Sequence, residues 1–148
     1  MRVISLASGS SCWRGLDYYK NKKVTKLNKT NENEYSSIVK GTKNYNVHLD
    51  IEHPRKSTCD CPLANGKRII CKHIVATYFT ALPREAQEFE EEQTRLQEEY
   101  EKEQEEEYDK AIECLNKMSK QELINELIQV FDYGPELIYS DFIKRNLY

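Results

Sequence analysis

A chain of 148 residues, 32% charged and 39% hydrophobic, suits one compact domain or a small module with an appended helical element, and leaves no room for two large cores. Its net charge of −3 conceals a split: residues 1–83 carry 14 Lys+Arg against 6 Asp+Glu, a net of +8, and residues 84–148 carry 8 against 19, a net of −11. The two parts therefore either face different partners or attract each other, and a core this small points to a metal or disulfide staple.

Residues 1–13 form an N-terminal segment whose apolar stretch, residues 3–7, is shorter than a signal-peptide core or a membrane span. A soluble, cytoplasmic protein with no membrane partner is expected. Next comes Arg14-Gly15-Leu16-Asp17-Tyr18-Tyr19, where Arg14 and Asp17 suit a local ion pair and the Arg-Gly step suits packing beneath a sheet. A lysine-rich turn leads to a short strand at residues 24–27 and a second at residues 35–40. After a turn at residues 41–44, strict alternation puts Tyr45, Val47, Leu49 and Ile51 on one strand face.

Residues 56–61 suit another extended segment, ended by Pro62, which lacks an amide donor. Asn65-Gly66 signals a tight turn. From Cys71 the spacing turns helical, with Ile74, Val75, Tyr78, Phe79 and Leu82 at steps of three and four, until Pro83 kinks or ends the helix. Residues 84–118 are rich in Glu, Gln, Lys and Arg with a thin apolar stripe, which predicts a long, mostly solvated acidic helix. Ser119 with Glu122 forms a capping box for a helix over residues 119–132, and Gly134-Pro135 starts a last helix over residues 135–148, so that residues 119–148 form a helical hairpin.

Of the five cysteines, three cluster near a histidine as Cys59-x-Cys61, nine residues, then Cys71-x-His73. Three thiolates and one imidazole are a standard structural complement for a tetrahedral zinc ion. In an extended segment residues two apart point the same way, so Cys59 and Cys61 grip one side, while Cys71 and His73 close the other from the first turn of the next helix. Zinc with three thiolates carries a formal −1, which the helix start and nearby Lys67, Arg68 and Lys72 favour. Four protein ligands leave no open position, so one structural Zn²⁺ is expected. His48 and His53 are alternative ligands in principle, although His48 falls on the polar strand face. Cys12, with no base fixed beside it, suits a small buried residue.

These residues resemble the SWIM zinc finger family, whose signature is Cys-x-Cys, a variable spacer and Cys-x-His. The likeness runs over residues 10–82, taking in Arg14-Gly15, Tyr18-Tyr19, Val24, Leu27, Val39-Lys40-Gly41, Tyr45-Asn46-Val47, Cys61-Pro62 and Cys71-Lys72-His73-Ile74. The resemblance implies a small β-β-α zinc fold in residues 14–83 that serves as a DNA-binding or protein-interaction module. The last helices look like a tail seen in bacterial members. No ATPase motif accompanies them, so remodelling activity does not carry over.

The predicted class is thus α+β: a zinc-stapled antiparallel module over residues 14–83, an acidic helix over 84–118 and the hairpin over 119–148. There is no phosphate-binding glycine loop, nucleophile elbow or open metal position, so no enzyme and no small-molecule substrate are expected. The candidate nucleic-acid contacts are Lys22, Lys23, Lys26, Lys67, Arg68 and Lys72, with Trp13, Tyr18, Tyr19 and Tyr45 nearby in sequence as stacking groups. The alternative is a protein partner held by the acidic helix or the C-terminal hairpin.

Overall fold

Alternation in Tyr45, Val47 and Leu49 places these three side chains in the core and builds β3 (Asn44–Asp50), an interior strand of a four-stranded antiparallel sheet ordered β1-β2-β3-β4. β1 is Val24–Asn31, β2 is Glu34–Lys40 and β4 is the two-residue Thr58–Cys59. The computed structural model describes residues 3–147. Met1 and Arg2, which open the predicted N-terminal segment, and Tyr148, which closes the last predicted helix, lie outside them.

Register carries the core pattern across the sheet: Tyr45 faces Val39, Val47 faces Ser37, and on the other side Val47 pairs with Cys59. The extended segment expected at residues 56–61 is shorter than predicted. A 3-10 turn, Pro54–Lys56, takes its first part, because Pro54 lacks an amide for a ladder and its fixed φ suits the start of a turn.

Residues 9–20, for which the sequence pattern predicts no element, form helix α1 (Gly9–Lys20). Gly9, Ser10, Ser11 and Gly15 are weak helix formers, so local preference is misleading there. The helix is started by Ser8, whose hydroxyl accepts the Ser11 amide at 3.2 Å, and is held by packing on α2 (Lys72–Ala81). Asp17 accepts from Asn21 Nδ2 at 2.9 Å, and the expected Arg14–Asp17 ion pair is absent among the described residues.

Gly15 governs the approach of α1 to α2, the neighbour that matters here rather than the sheet. A Cβ at Gly15 would stand 2.5 Å from Val75 Cγ1 and 3.1 Å from the Lys72 carbonyl oxygen. Val75 is fully buried and has nowhere to turn. Gly15→Ala is therefore expected to destabilise by about 1 kcal/mol, the overpacking cost of about 1–3 kcal/mol less a helix-propensity gain of about 1 kcal/mol. The check is a fall of several degrees in thermal midpoint.

Helix α2 is buried along most of its length, His73 to Phe79. Its Thr77 hydroxyl donates to the His73 carbonyl at 2.9 Å and lies 2.7 Å from the Ser37 hydroxyl of β2, so one buried polar chain ties this helix to the sheet. Leu82 leaves the helical backbone and Pro83 opens α3 (Pro83–Lys117). The first packed unit does not stop at that break. Ala86 and Phe89 are buried in its core, and it ends at Thr94.

The second unit begins at Arg95 and holds the rest of α3, then α4 (Lys120–Tyr133) and α5 (Glu136–Leu147). The capping box at Ser119 and Glu122 is formed in both directions. Phe131 packs on Tyr139 and Phe142 to join α4 to α5 as a hairpin. No residue of either helix is fully buried.

Candidate metal centre

Cys59 ends β4, Cys61 lies two residues on, Cys71 caps the start of α2, and His73 sits in its first turn. All four are buried, and their ligand atoms lie within 4.8 Å of one another. His73 Nδ1 is 3.6 Å from Cys59 Sγ and 3.9 Å from Cys71 Sγ. Zinc bonds of about 2.3 Å to sulfur and 2.0–2.1 Å to nitrogen demand tetrahedral edges of roughly 3.6–3.8 Å. The donors present fit one structural Zn²⁺.

The electrostatics suit a cation. Hydrogen bonding from the Cys59 thiol, helped by His73 and by the Ile74 and His73 amides, lowers Cys71 to about 4 against the opposing effect of burial. Cys59, bonded to Cys71 and also buried, is pushed up. The Cys71 thiol is thus the one most readily deprotonated, and a bound cation would take the place of the thiol protons.

Two features of the scaffold were not foreseen from the sequence. Asp60, between the first two cysteines, accepts the Asn46 amide at 2.9 Å and Asn46 Nδ2 at 2.8 Å, locking the Cys59–Cys61 corner to β3. The Cys61 carbonyl accepts the Ala64 and Asn65 amides, which folds the following loop back on itself. An Asp between two ligand cysteines was the available signal, although its partner lies 14 residues away.

Aromatic rings hold the imidazole of His73. Tyr45 stacks on it at 4.5 Å between centroids and Tyr18 meets it edge-on at 5.5 Å. Gly41 makes this stack possible, because a Cβ there would stand 2.8 Å from Tyr45 Cε2. Nδ1 faces the thiols, while Nε2 is buried with no hydrogen-bond partner among the described residues, so Nδ1 is the ligating nitrogen. His48 pairs with Thr58 in the sheet, and His53 lies beside Asp50, its Nδ1 3.6 Å from the carboxylate; neither is in the cluster. Cys12 is buried with its thiol directed at the Ile4 carbonyl at 3.6 Å, and burial raises its pKa.

The six basic candidates fall in separate places. Lys22 and Lys23 follow α1, and Lys26 sits at an irregularity in β1, with Lys22 and Lys26 in the left-handed backbone region at φ 52° and 51°. Lys72 is half-buried with its ammonium 4.5 Å from the Tyr18 ring centroid. Lys67 and Arg68 lie on the loop between Cys61 and Cys71, where they meet Arg55 and Lys56 across a cleft.

Fold and site together define a small α+β zinc-binding module with a helical extension. Residues 45–82 match the family model for the SWIM zinc finger, so the chain carries a zinc-finger segment of that kind, with its ligands at Cys59, Cys61, Cys71 and His73. No curated protein and no solved structure matches the chain. No helix among the described residues is long and apolar enough to cross a membrane.

Proposed function

We propose that this protein binds nucleic acid through its zinc module, with the metal purely structural and no catalytic step. The observation that carries this reading is the charge on the zinc-holding part, a net of +8 over residues 1–83. Lys22, Lys23, Lys26, Lys67 and Arg68 are exposed and have no ion-pair partner among the described residues, whereas Lys20 is tied to Glu90. Exposed, unneutralised cations on a rigid module suit a phosphate backbone, where each contact releases a condensed counterion. Four donors on one ion leave no place for a reacting water, which supports a binding role over chemistry.

A second reading has its own support. Leu123, Ile124, Leu127 and Ile128 of α4 are each 38–49% exposed, an apolar surface suited to a protein partner. The two readings separate in one experiment with the intact, zinc-loaded chain. Binding to single-stranded DNA, duplex DNA and RNA should weaken about ten-fold or more between 50 and 200 mM salt if two or more phosphates are neutralised. Absence of binding to all three at low salt, with a stoichiometric protein surviving nuclease treatment in a pulldown, would transfer the function to the partner-binding class.

A further inference from the structure

The loop between the second and third metal ligands faces a short segment from the other side of the site. Arg55, Lys56, Ser57 and Thr58 form one wall of a cleft of about 530 Å³, and Ala64, Gly66, Lys67 and Arg68 form the other. Each wall supplies two cations. None of the four has an ion-pair partner among the described residues, and all are exposed. The nearby acids are occupied elsewhere: Asp60 holds Asn46, and Asp50 accepts the His53 amide at 2.6 Å. Glu52 lies against Asn33 Nδ2 at 3.5 Å. Four cations thus line one cleft with no ion-pair partner among the described residues, and a bound anion would offset their mutual repulsion.

We infer that this cleft is the phosphate-gripping part of the nucleic-acid surface, taking consecutive phosphates of one strand between the Arg55–Lys56 and Lys67–Arg68 pairs. The inference rests on the nucleic-acid reading and deepens it, since Lys22, Lys23 and Lys26 are not part of this lining. The occupant is a polyphosphate backbone rather than a lone phosphate because the cleft is several times the volume of one phosphate and carries four charges in two pairs on separate segments. Planar guanidinium groups on both walls favour bidentate contact with phosphate oxygens.

The walls also depend on the metal. Thr58 precedes the ligand Cys59, and Lys67 and Arg68 lie on a loop whose two ends are the ligands Cys61 and Cys71. Its turn is set by the Cys61 carbonyl and by the Lys67 amide, which donates to Ala64 at 2.9 Å. Zinc therefore sets the spacing between the two cation pairs, so strand binding and metal loading are linked.

The test uses the full zinc-loaded chain and a fluorescein-labelled oligonucleotide of mixed sequence, single-stranded and duplex, at several salt concentrations. Lys67→Gln with Arg68→Gln, and separately Arg55→Gln with Lys56→Gln, should each weaken binding by at least ten-fold at 0.1 M salt and flatten the log–log salt slope by about two units. Lys110→Gln with Lys120→Gln removes the same charge from the helical extension and should change affinity less than two-fold, on the order of a long-range screened effect. Lys67→Arg with Arg68→Lys keeps the charges and should retain binding, and the zinc content of every variant shows that its module is loaded. Zinc-loaded cleft variants that bind like the original chain would overturn the cleft while leaving the nucleic-acid reading intact. No binding by the original chain would overturn both. Displacement of the oligonucleotide by inorganic phosphate at matched ionic strength and equal phosphate would make the cleft a small-anion pocket and overturn the strand assignment.

Discussion

Replacing Cys71 by Ser or His73 by Ala is expected to release the metal and abolish the cooperative melt of the first unit, while the second unit keeps its helical signal. The four ligands come from the end of β4, the corner after it and the start of α2, so without a cation nothing covalent or ionic joins these segments. What remains inside in either variant is three buried polar groups of the cluster with no shared cation to hold them together. Structural zinc contributes on the order of 10 kcal/mol to folding in small modules, comparable with the whole stability of about 5–15 kcal/mol expected for a domain. Losing it should therefore unfold the unit rather than loosen it. Elemental analysis should give one zinc per chain, and a strong chelator should reproduce the variants' loss of structure. Cys12→Ser and Cys114→Ser, outside the cluster, should retain the metal. A complete removal of metal that leaves the midpoint unchanged would refute the structural role.

The metal site was legible because its chemistry is local. Cys59 and Cys61 are two apart on an extended segment, Cys71 and His73 two apart at a helix start, and no long-range information was needed to see that each pair points one way. The alternation in β3 and the capping box at Ser119 were readable for the same reason. What the sequence concealed is set by tertiary contact. α1 has poor intrinsic helix formers and exists because Leu16 and Cys12 are buried and Gly15 lets it lie against Val75. Asp60 looks like any polar residue in a turn until Asn46 is brought beside it. Of the six basic candidates only Lys67 and Arg68 line the cleft, and the Arg55 and Lys56 that share it lie on the far side of Cys59 and Cys61 in the chain, so the group became visible only in the fold.

Where the first unit ends has the second largest expected consequence. A chain ending at Thr94 is expected to keep its zinc and melt cooperatively, whereas one ending at Pro83, the boundary that composition suggests, should be less stable by several kcal/mol. Phe89 lies 5.7 Å from the Phe79 ring and 5.6 Å edge-on from Trp13, and Ala86 is buried beside it in the same core. Phe79 is itself fully buried, so removing the start of α3 strips the cover from the largest side chain at the centre. Truncating a buried Phe costs about 3–5 kcal/mol, and the loss of Ala86 adds to it. Polar ties contribute less: the Tyr78 hydroxyl donates to Glu85 at 2.8 Å, and the Lys20–Glu90 ion pair is about half exposed, which limits it to under about 1 kcal/mol. Phe89→Ala in the full chain should therefore reproduce most of the loss, lowering the midpoint of the first unit by on the order of 20 °C, while Lys20→Ala should change it by no more than a few degrees. Both measurements require zinc-loaded protein, since metal loss would mask the packing effect. Equal midpoints for zinc-loaded chains ending at 83 and 94 would mean that the start of α3 covers the core without stabilising it.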